Sequence, residues 1–297
     1  MSDAPPPGYG YGPPPGYGPP LKAGTAATGP LPLHPMSVSD ILDGVFKLLK
    51  ANFRTIAVIV GCLVIPGQIL VAFLQRNALG GNSIIDAIRD PSTSHSSGLG
   101  NLASSGLSLA ISVVLLPFVG AAIAKVVAAS YVGTQIGPGE ALRATGRRAG
   151  SLFAAWLTWH PIEFIGFVFC IFPGIAWMTM FVMVAPVIVI EDLSFGKGLK
   201  RSWNLASRRY WGTMGVALLA GLVATIMANV LSGVPDTLAF VIGLHWGWIL
   251  LAVGGALSAL IVTPIAAITA TLLYFDARIR TEGFDLQIIA AGLSHPS

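Results

Sequence analysis

Charge is what this sequence most lacks. Only 10% of its 297 residues are Asp, Glu, Lys or Arg, while 54% are hydrophobic and the mean hydropathy is +0.75. Soluble domains carry about 25% charged residues, because a core has to be covered by polar surface. A chain this poor in charge must turn its excess apolar surface towards lipid. Cysteine is nearly missing too. Cys62 and Cys170 lie in different apolar stretches and are expected as free thiols, with no Cys/His cluster to hold a metal. The Gly-rich phosphate loop, HExxH and GxSxG are likewise missing. No cofactor is implied, and a non-enzymatic role is expected. The start lacks a basic segment followed by an apolar one, so the first span is expected to act as an uncleaved signal-anchor.

Long apolar runs are what the chain does have. Uncharged or nearly uncharged stretches cover residues 55–75, 102–124, 149–190, 212–233 and 248–275. A span takes about 20 residues, so 149–190 is too long for one and is expected to hold two, joined at Phe172-Pro173-Gly174. The fold class predicted is all-α: a polytopic membrane bundle of about six transmembrane helices over residues 37–290. It is flanked by a disordered Pro/Gly/Tyr-rich tail at 1–36 and a short tail at 291–297. All but Arg76 and Arg89 of the 17 Lys and Arg residues fall before span one, between two and three, between four and five, or after six. Basic residues stay on the cytoplasmic side, so both termini are expected in the cytoplasm of a plasma-membrane protein. The loop at 234–247 is expected outside.

A three-fold pattern precedes spans one, three and five. Leu42 and Phe53, Leu142 and Phe153, and Leu199 and Tyr210 are each eleven residues apart, with Phe46 and Trp203 matched and Gly146 breaking the middle copy. Ser37 and Asp40 have capping-box spacing ahead of the first copy. These segments are predicted as amphipathic helices on the cytoplasmic leaflet, each followed by a two-span hairpin. Their cations, Lys47, Lys50, Arg54, Arg143, Arg147, Arg148, Lys200, Arg201, Arg208 and Arg209, are the candidate contacts to anionic lipid headgroups, each contributing about 1 kcal/mol near an anionic surface. Nucleic acid is not an expected partner, since these charges are pinned beside spans. The tail's Tyr9, Tyr11 and Tyr17 offer either a protein-docking segment or a solvated tether.

Polar groups inside spans are few. Glu163, with His160 three residues before it on the same helical face, is the candidate intramembrane pair. The alternative places Glu163 near enough to the outer surface to reach water. Lys125 is expected to snorkel at the end of span two. Gln68 and Asn229 are expected to hydrogen-bond between helices. Asp276, Arg278, Arg280, Glu282 and Asp285 have mixed sign and are expected to form a salt-bridged cap on span six.

Taken together, SVSDILDGVFKLLKANFRT, FPGI, APVIVIED, GKGLKRSWNLASRRYW and LLYFDARIRTEGFDL resemble the membrane domain of bacterial glycerophosphoryl diester phosphodiesterases. The likeness extends over roughly residues 36–290. In the fused enzymes hydrolysis belongs to a separate soluble barrel, which this sequence does not contain. The resemblance therefore implies a stand-alone membrane domain and no hydrolytic activity, and it brings no site residues with it. The function expected is a membrane module organising lipids or partner proteins at the inner leaflet. A small transporter or flippase-like protein for a lipid-related or polar solute is the alternative, and a polar cavity between spans would separate the two.

Overall fold

The computed structural model describes residues 35–76, 83–90, 98–131 and 133–283. The tail expected over 1–36, apart from Pro35 and Met36, lies outside the described residues, as do Asp285 and residues 291–297. Among the described residues every regular element is an α-helix, and six segments are long and apolar enough to cross a membrane.

The helices fall into three units of one plan. The first has α1 (Val38–Ala51), a first span broken into α2 (Phe53–Leu63) and α3 (Ile65–Leu74), the short α4 (Ile84–Arg89), and a second span, α5 (Gly98–Tyr131). The second has α6 (Pro138–Arg147), the first span α7 (Ala149–Phe169), and a second span broken into α8 (Ile171–Phe181) and α9 (Val184–Ile190). The third has α10 (Phe195–Ser207), α11 (Tyr210–Ile242) and α12 (Leu244–Glu282). The breaks before α3 and α9 fall two or three residues ahead of Pro66 and Pro186. A proline has no N–H for the preceding turn and crowds its carbonyl. The expected capping box opens α1: the Ser37 hydroxyl accepts from Asp40 N–H at 3.2 Å, and the Asp40 carboxylate accepts from Ser37 N–H at 2.9 Å.

Each amphipathic helix meets its span at a short hinge, one residue long in the first two units and two residues, Arg208 and Arg209, in the third. Asn52 (φ −114°, ψ 16°), Arg148 (−108°, 11°) and Arg209 (−138°, 42°) lie between the two helices of their unit, all outside the helical basin. Counting back from this hinge, Val45, Ala141 and Ser202 coincide, as do Leu49, Thr145 and Ala206, and all six are buried. The hinge alignment corrects the sequence pairing of the middle copy by one helical turn. Pro138 stands opposite Leu42 and Leu199, and Leu142 joins Phe46 and Trp203. An apolar face recurs about every 3.6 residues, so a four-residue slip preserves the pattern and cannot be detected from it.

Packing follows the same plan. The second spans α5, α9 and α12 contact one another at the centre. Each amphipathic helix packs on the second span of the unit before it, in a cycle: α6 on α5, α10 on α8 and α9, and α1 on α12. Tyr131 at the end of α5 stacks on Phe275 of α12, with centroids 4.3 Å apart. Around this centre, large apolar side chains such as Phe164, Phe169, Phe172 and Val230 are exposed. In a membrane they face lipid.

Three expected boundaries move. The long apolar stretch turns at Cys170, whose backbone is extended (φ −168°, ψ 144°). Pro173 instead sits in the first turn of α8, where its missing N–H has no helical partner to lose. The hairpin closes on glycine, since a Cβ on Gly166 would lie 3.0 Å from the Gly174 nitrogen. Second, α5 runs past Lys125 to Tyr131, so Lys125 does not end its span. Third, residues 234–247 are not a loop. α11 continues through Pro235 to Ile242, and only Gly243, at φ 100°, separates it from α12. Positive φ is open to glycine at no steric penalty.

The α11–α12 crossing needs a second glycine. A Cβ on Gly247 would stand 2.4 Å from the Ala239 carbonyl oxygen and 2.8 Å from its Cα, whereas one on Gly221 would meet nothing within 4 Å. Gly247→Ala is expected to lower stability by about 1–3 kcal/mol, read as a lower melting temperature in detergent. Gly221→Ala should leave the melting temperature unchanged or slightly raised.

Candidate functional site: a charged collar and a polar cleft

The three hinges share one role. Each binds the end of its own unit's second span. The Asn52 carboxamide oxygen accepts from the Ser130 hydroxyl at 2.9 Å, and its Nδ2 donates to Leu48 O at 3.1 Å. Arg148 donates to Asp192, just beyond α9. Arg209 donates to Asp276 in the last turns of α12. Asp192 occupies the position after the α9 C-cap with φ 56°, where Leu193 N–H returns to Ile188 O at 3.0 Å. Glycine usually takes this left-handed position. Here the carboxylate serves to clamp Arg148, which in turn holds the Asp192 carboxyl below the usual carboxylate range.

The expected cap on span six is present and extends beyond its own helix. Arg278 donates to Glu282 at 3.0 Å and Arg280 to Asp276 at 2.9 Å. Arg201 of α10 bridges Glu191 (3.0 Å) and Glu282. The Tyr274 hydroxyl donates to Glu191 at 3.0 Å and accepts from Arg278 at 3.1 Å. Asp276, 2% exposed, also accepts from Met36 N–H at 2.8 Å, and Arg280 donates to Met36 O at 2.8 Å. The entry to α1, α10, the end of α9 and the end of α12 are thus laced into one collar. The hydrogen bond to Glu282, ahead of the other contacts, raises the pKa of Arg201.

This placement sorts the ten headgroup candidates. Lys47, Lys50, Arg54, Arg143, Arg147, Lys200 and Arg208 are exposed, and Lys197 joins them. Arg148, Arg201 and Arg209 are instead committed to carboxylates at the ends of the second spans: exposed Asp192, half-buried Glu191 and Glu282, and buried Asp276. The reason is local. Each of the three lies at a hinge or on the inward face of α10, opposite an acid at the end of a second span.

His160 and Glu163 are not joined by any hydrogen bond or ion pair among the described residues. His160 lies against Trp156 and Trp159, with centroids 5.0 and 4.9 Å away, and its Nδ1 is buried without a partner. Glu163 is half-buried, roughly 10 Å along α7 from the Cys170 turn at 1.5 Å per residue. Asn229, expected between helices, is exposed and donates to Thr225 O of its own helix at 2.8 Å.

At the other end lies a cleft that sequence reasoning misses. A cavity of about 360 Å³ has α12 as its floor and α3 and α11 as its walls, with Gln68, Gln75, Ser232, Asp236, Ser258 and Thr263 among its lining. At 1.5 Å per residue, Gln68 is roughly 22 Å beyond Phe53, Thr263 roughly 20 Å from Asp276, and Asp236 roughly 39 Å beyond Tyr210. All three helices place it well away from the collar. Asp236 is hidden in the sequence because the stretch around it reads as a loop; the unbroken apolar pattern from Leu238 to Ile242 is the signal that the helix continues. Comparison of the chain with models of protein families, with curated proteins and with solved structures gives no match in any of the three.

The collar is expected to support the fold. Reversing Arg278 and Arg280 to Glu should lower the melting temperature in detergent. Arg201→Ala, which leaves Glu191 to Tyr274 and Glu282 to Arg278, should cost about 2 kcal/mol for the lost charged hydrogen bonds. A chain carrying all three changes and melting like the parent would show that the collar adds nothing to stability.

Proposed function

We propose that this chain is a non-enzymatic integral membrane module that gathers anionic lipid at the collar end of its bundle. The observation behind this reading is the sorting of cations. Arg148, Arg201 and Arg209 are paired with acids at the ends of the second spans, while Lys47, Lys50, Arg54, Arg143, Arg147, Lys197, Lys200 and Arg208 stay exposed at that end, against exposed Asp43 and Glu140. Exposed Trp203 and Trp211 stand beside them, at the level where aromatic side chains anchor to headgroups. The resemblance to the glycerophosphoryl diester phosphodiesterase membrane domain fits such a stand-alone module and lends it no activity. In this reading the collar faces the cytoplasm at the plasma membrane, following the placement of basic residues. A partner protein with an acidic surface could occupy the same face.

Lipid retention tests it. Purified in mild detergent, the parent chain should keep anionic lipid, counted by native mass spectrometry. Replacing Lys47, Lys50, Arg143 and Arg147 by Gln should remove most of it without lowering the melting temperature. Equal lipid retention by parent and variant would refute the reading.

Orientation can be read from a native residue. Cys170 is exposed at the turn between α7 and α8, at the end of the bundle opposite the hinges. In a Cys62→Ser background, a membrane-impermeant maleimide should label Cys170 in intact cells. Labelling only after permeabilisation would reverse the topology.

The alternative, transport of a lipid-related or polar solute, is favoured by one specific observation, the polar cleft between spans. Its lining residues lie well away from the collar, as a binding site reached from the opposite side requires.

A further inference from the structure

We infer that the cleft between α3, α11 and α12 is a binding site for a primary ammonium group, carried by a small amine or by a lipid headgroup. The inference concerns binding and stands whether the ligand is moved or only held.

The lining fixes the sign of the ligand. Among the described residues that line the cleft, Asp236 is the charged one, and none is Lys, Arg or His. Among the described residues Asp236 has no ion-pair partner, in contrast to the collar, where every carboxylate is held by guanidinium groups. A carboxylate in a cleft beside apolar surface gains from a cationic partner. An anionic ligand would meet repulsion here, and a neutral one would leave the charge unanswered.

The geometry fixes the size and donor count. Gly255 leaves α12 bare at the floor, and buried Gly254 stands next to it on the helix. A Cβ on Gly254 would lie 2.9 Å from Asp236 Oδ1, and one on Gly255 would lie 3.1 Å from Gln68 Oε1. Oxygens from α11 and α3 therefore converge on neighbouring residues of α12, beside the Ser258 hydroxyl one turn further on. An ammonium carries three N–H donors and no acceptor, so a carboxylate, an amide oxygen and a hydroxyl suit it. About 360 Å³ is at the lower end of the usual range for small-ligand sites. The position fits as well. Taking the hinges as one edge of a hydrocarbon core about 30 Å thick, Asp236 stands at the far headgroup level, while Ser258 and Gln68 lie below it. A headgroup amine from the adjoining leaflet, or a dissolved amine, would reach Asp236 first.

The test uses the full chain in phosphatidylglycerol nanodiscs, with ethanolamine as the soluble probe and glycerol as its neutral control. In a second arm phosphatidylethanolamine is mixed into the discs and its enrichment on the protein is read by native mass spectrometry. Binding of ethanolamine identifies a dissolved amine; enrichment of phosphatidylethanolamine without it identifies the headgroup. Either supports the inference, provided that Asp236→Asn weakens binding about tenfold or more and Asp236→Glu largely restores it. Gln68→Leu should weaken it more mildly. The inference is overturned if neither probe binds above the glycerol control, or if Asp236→Asn binds as the parent does. Should Asp236→Asn fail to fold, carbodiimide modification of Asp236 in the parent chain decides: slowing by ethanolamine supports the site, and an unchanged rate overturns it.

Discussion

The structure turns on one repeated contact, a polar side chain at the point where an amphipathic helix bends into its span, bound to the end of the span that returns. A span crossing lipid satisfies its own backbone, but the hinge residue, with φ near −110° to −140° in all three units, interrupts the helical ladder. Binding Asn52 to Ser130, Arg148 to Asp192 and Arg209 to Asp276 closes each unit into a clasp: helix, span out, span back, latch. Helix association in lipid gains little from the hydrophobic effect, since acyl chains are as apolar as leucine. Polar latches at the edge of the bilayer, together with close packing, therefore carry much of the specificity.

The clasps then interlock. α1 lies on α12, α6 on α5 and α10 on α8 and α9, so each unit's amphipathic helix covers the second span of its predecessor. Because the last unit receives α1 from the first, the cycle is closed, and the collar is the seam where it closes. Met36, at the entry to α1, meets Asp276 and Arg280 at the end of α12. The units differ in chemistry at the same position. The first uses a neutral amide and hydroxyl; the other two use full ion pairs. A neutral latch is the easier one to bury, since neither partner loses the hydration of a charge, and Asn52 is only 8% exposed.

Much of this is legible in the sequence, and the rest is hidden for identifiable reasons. Spans, the helices ahead of spans one, three and five, the α1 capping box and the mixed-charge cap all follow from hydropathy, spacing and charge. The motifs at APVIVIED, GKGLKRSWNLASRRYW and LLYFDARIRTEGFDL, far apart in the chain, supply the same collar. Which cations face headgroups and which face acids is not legible. Sequence spacing cannot distinguish Lys200, exposed, from its neighbour Arg201, half-buried against Glu191 and Glu282; that depends on which face of α10 meets α9 and α12. The middle register slips by one turn because periodicity alone is blind to such a slip. Asp236 reads as part of a loop because Pro235 and Gly243 resemble loop punctuation, yet tertiary pairing with α12 carries the helix through the proline.

The two ends of the bundle therefore obey opposite rules. At the collar, each acid at the end of a second span is answered by an arginine from another helix, and the exposed charge that remains is mostly positive. At the cleft, the chain brings a carboxylate, amides and hydroxyls together and supplies no cation among the described residues. Sealing that cleft would have been simple: a larger residue at Gly255 would push against Gln68, and one at Gly254 against Asp236. A fold that latches its charges so thoroughly at one end while leaving an acceptor set open at the other has its polar groups divided by task. Those at the collar hold the units together, and those at the cleft are left for something outside the chain.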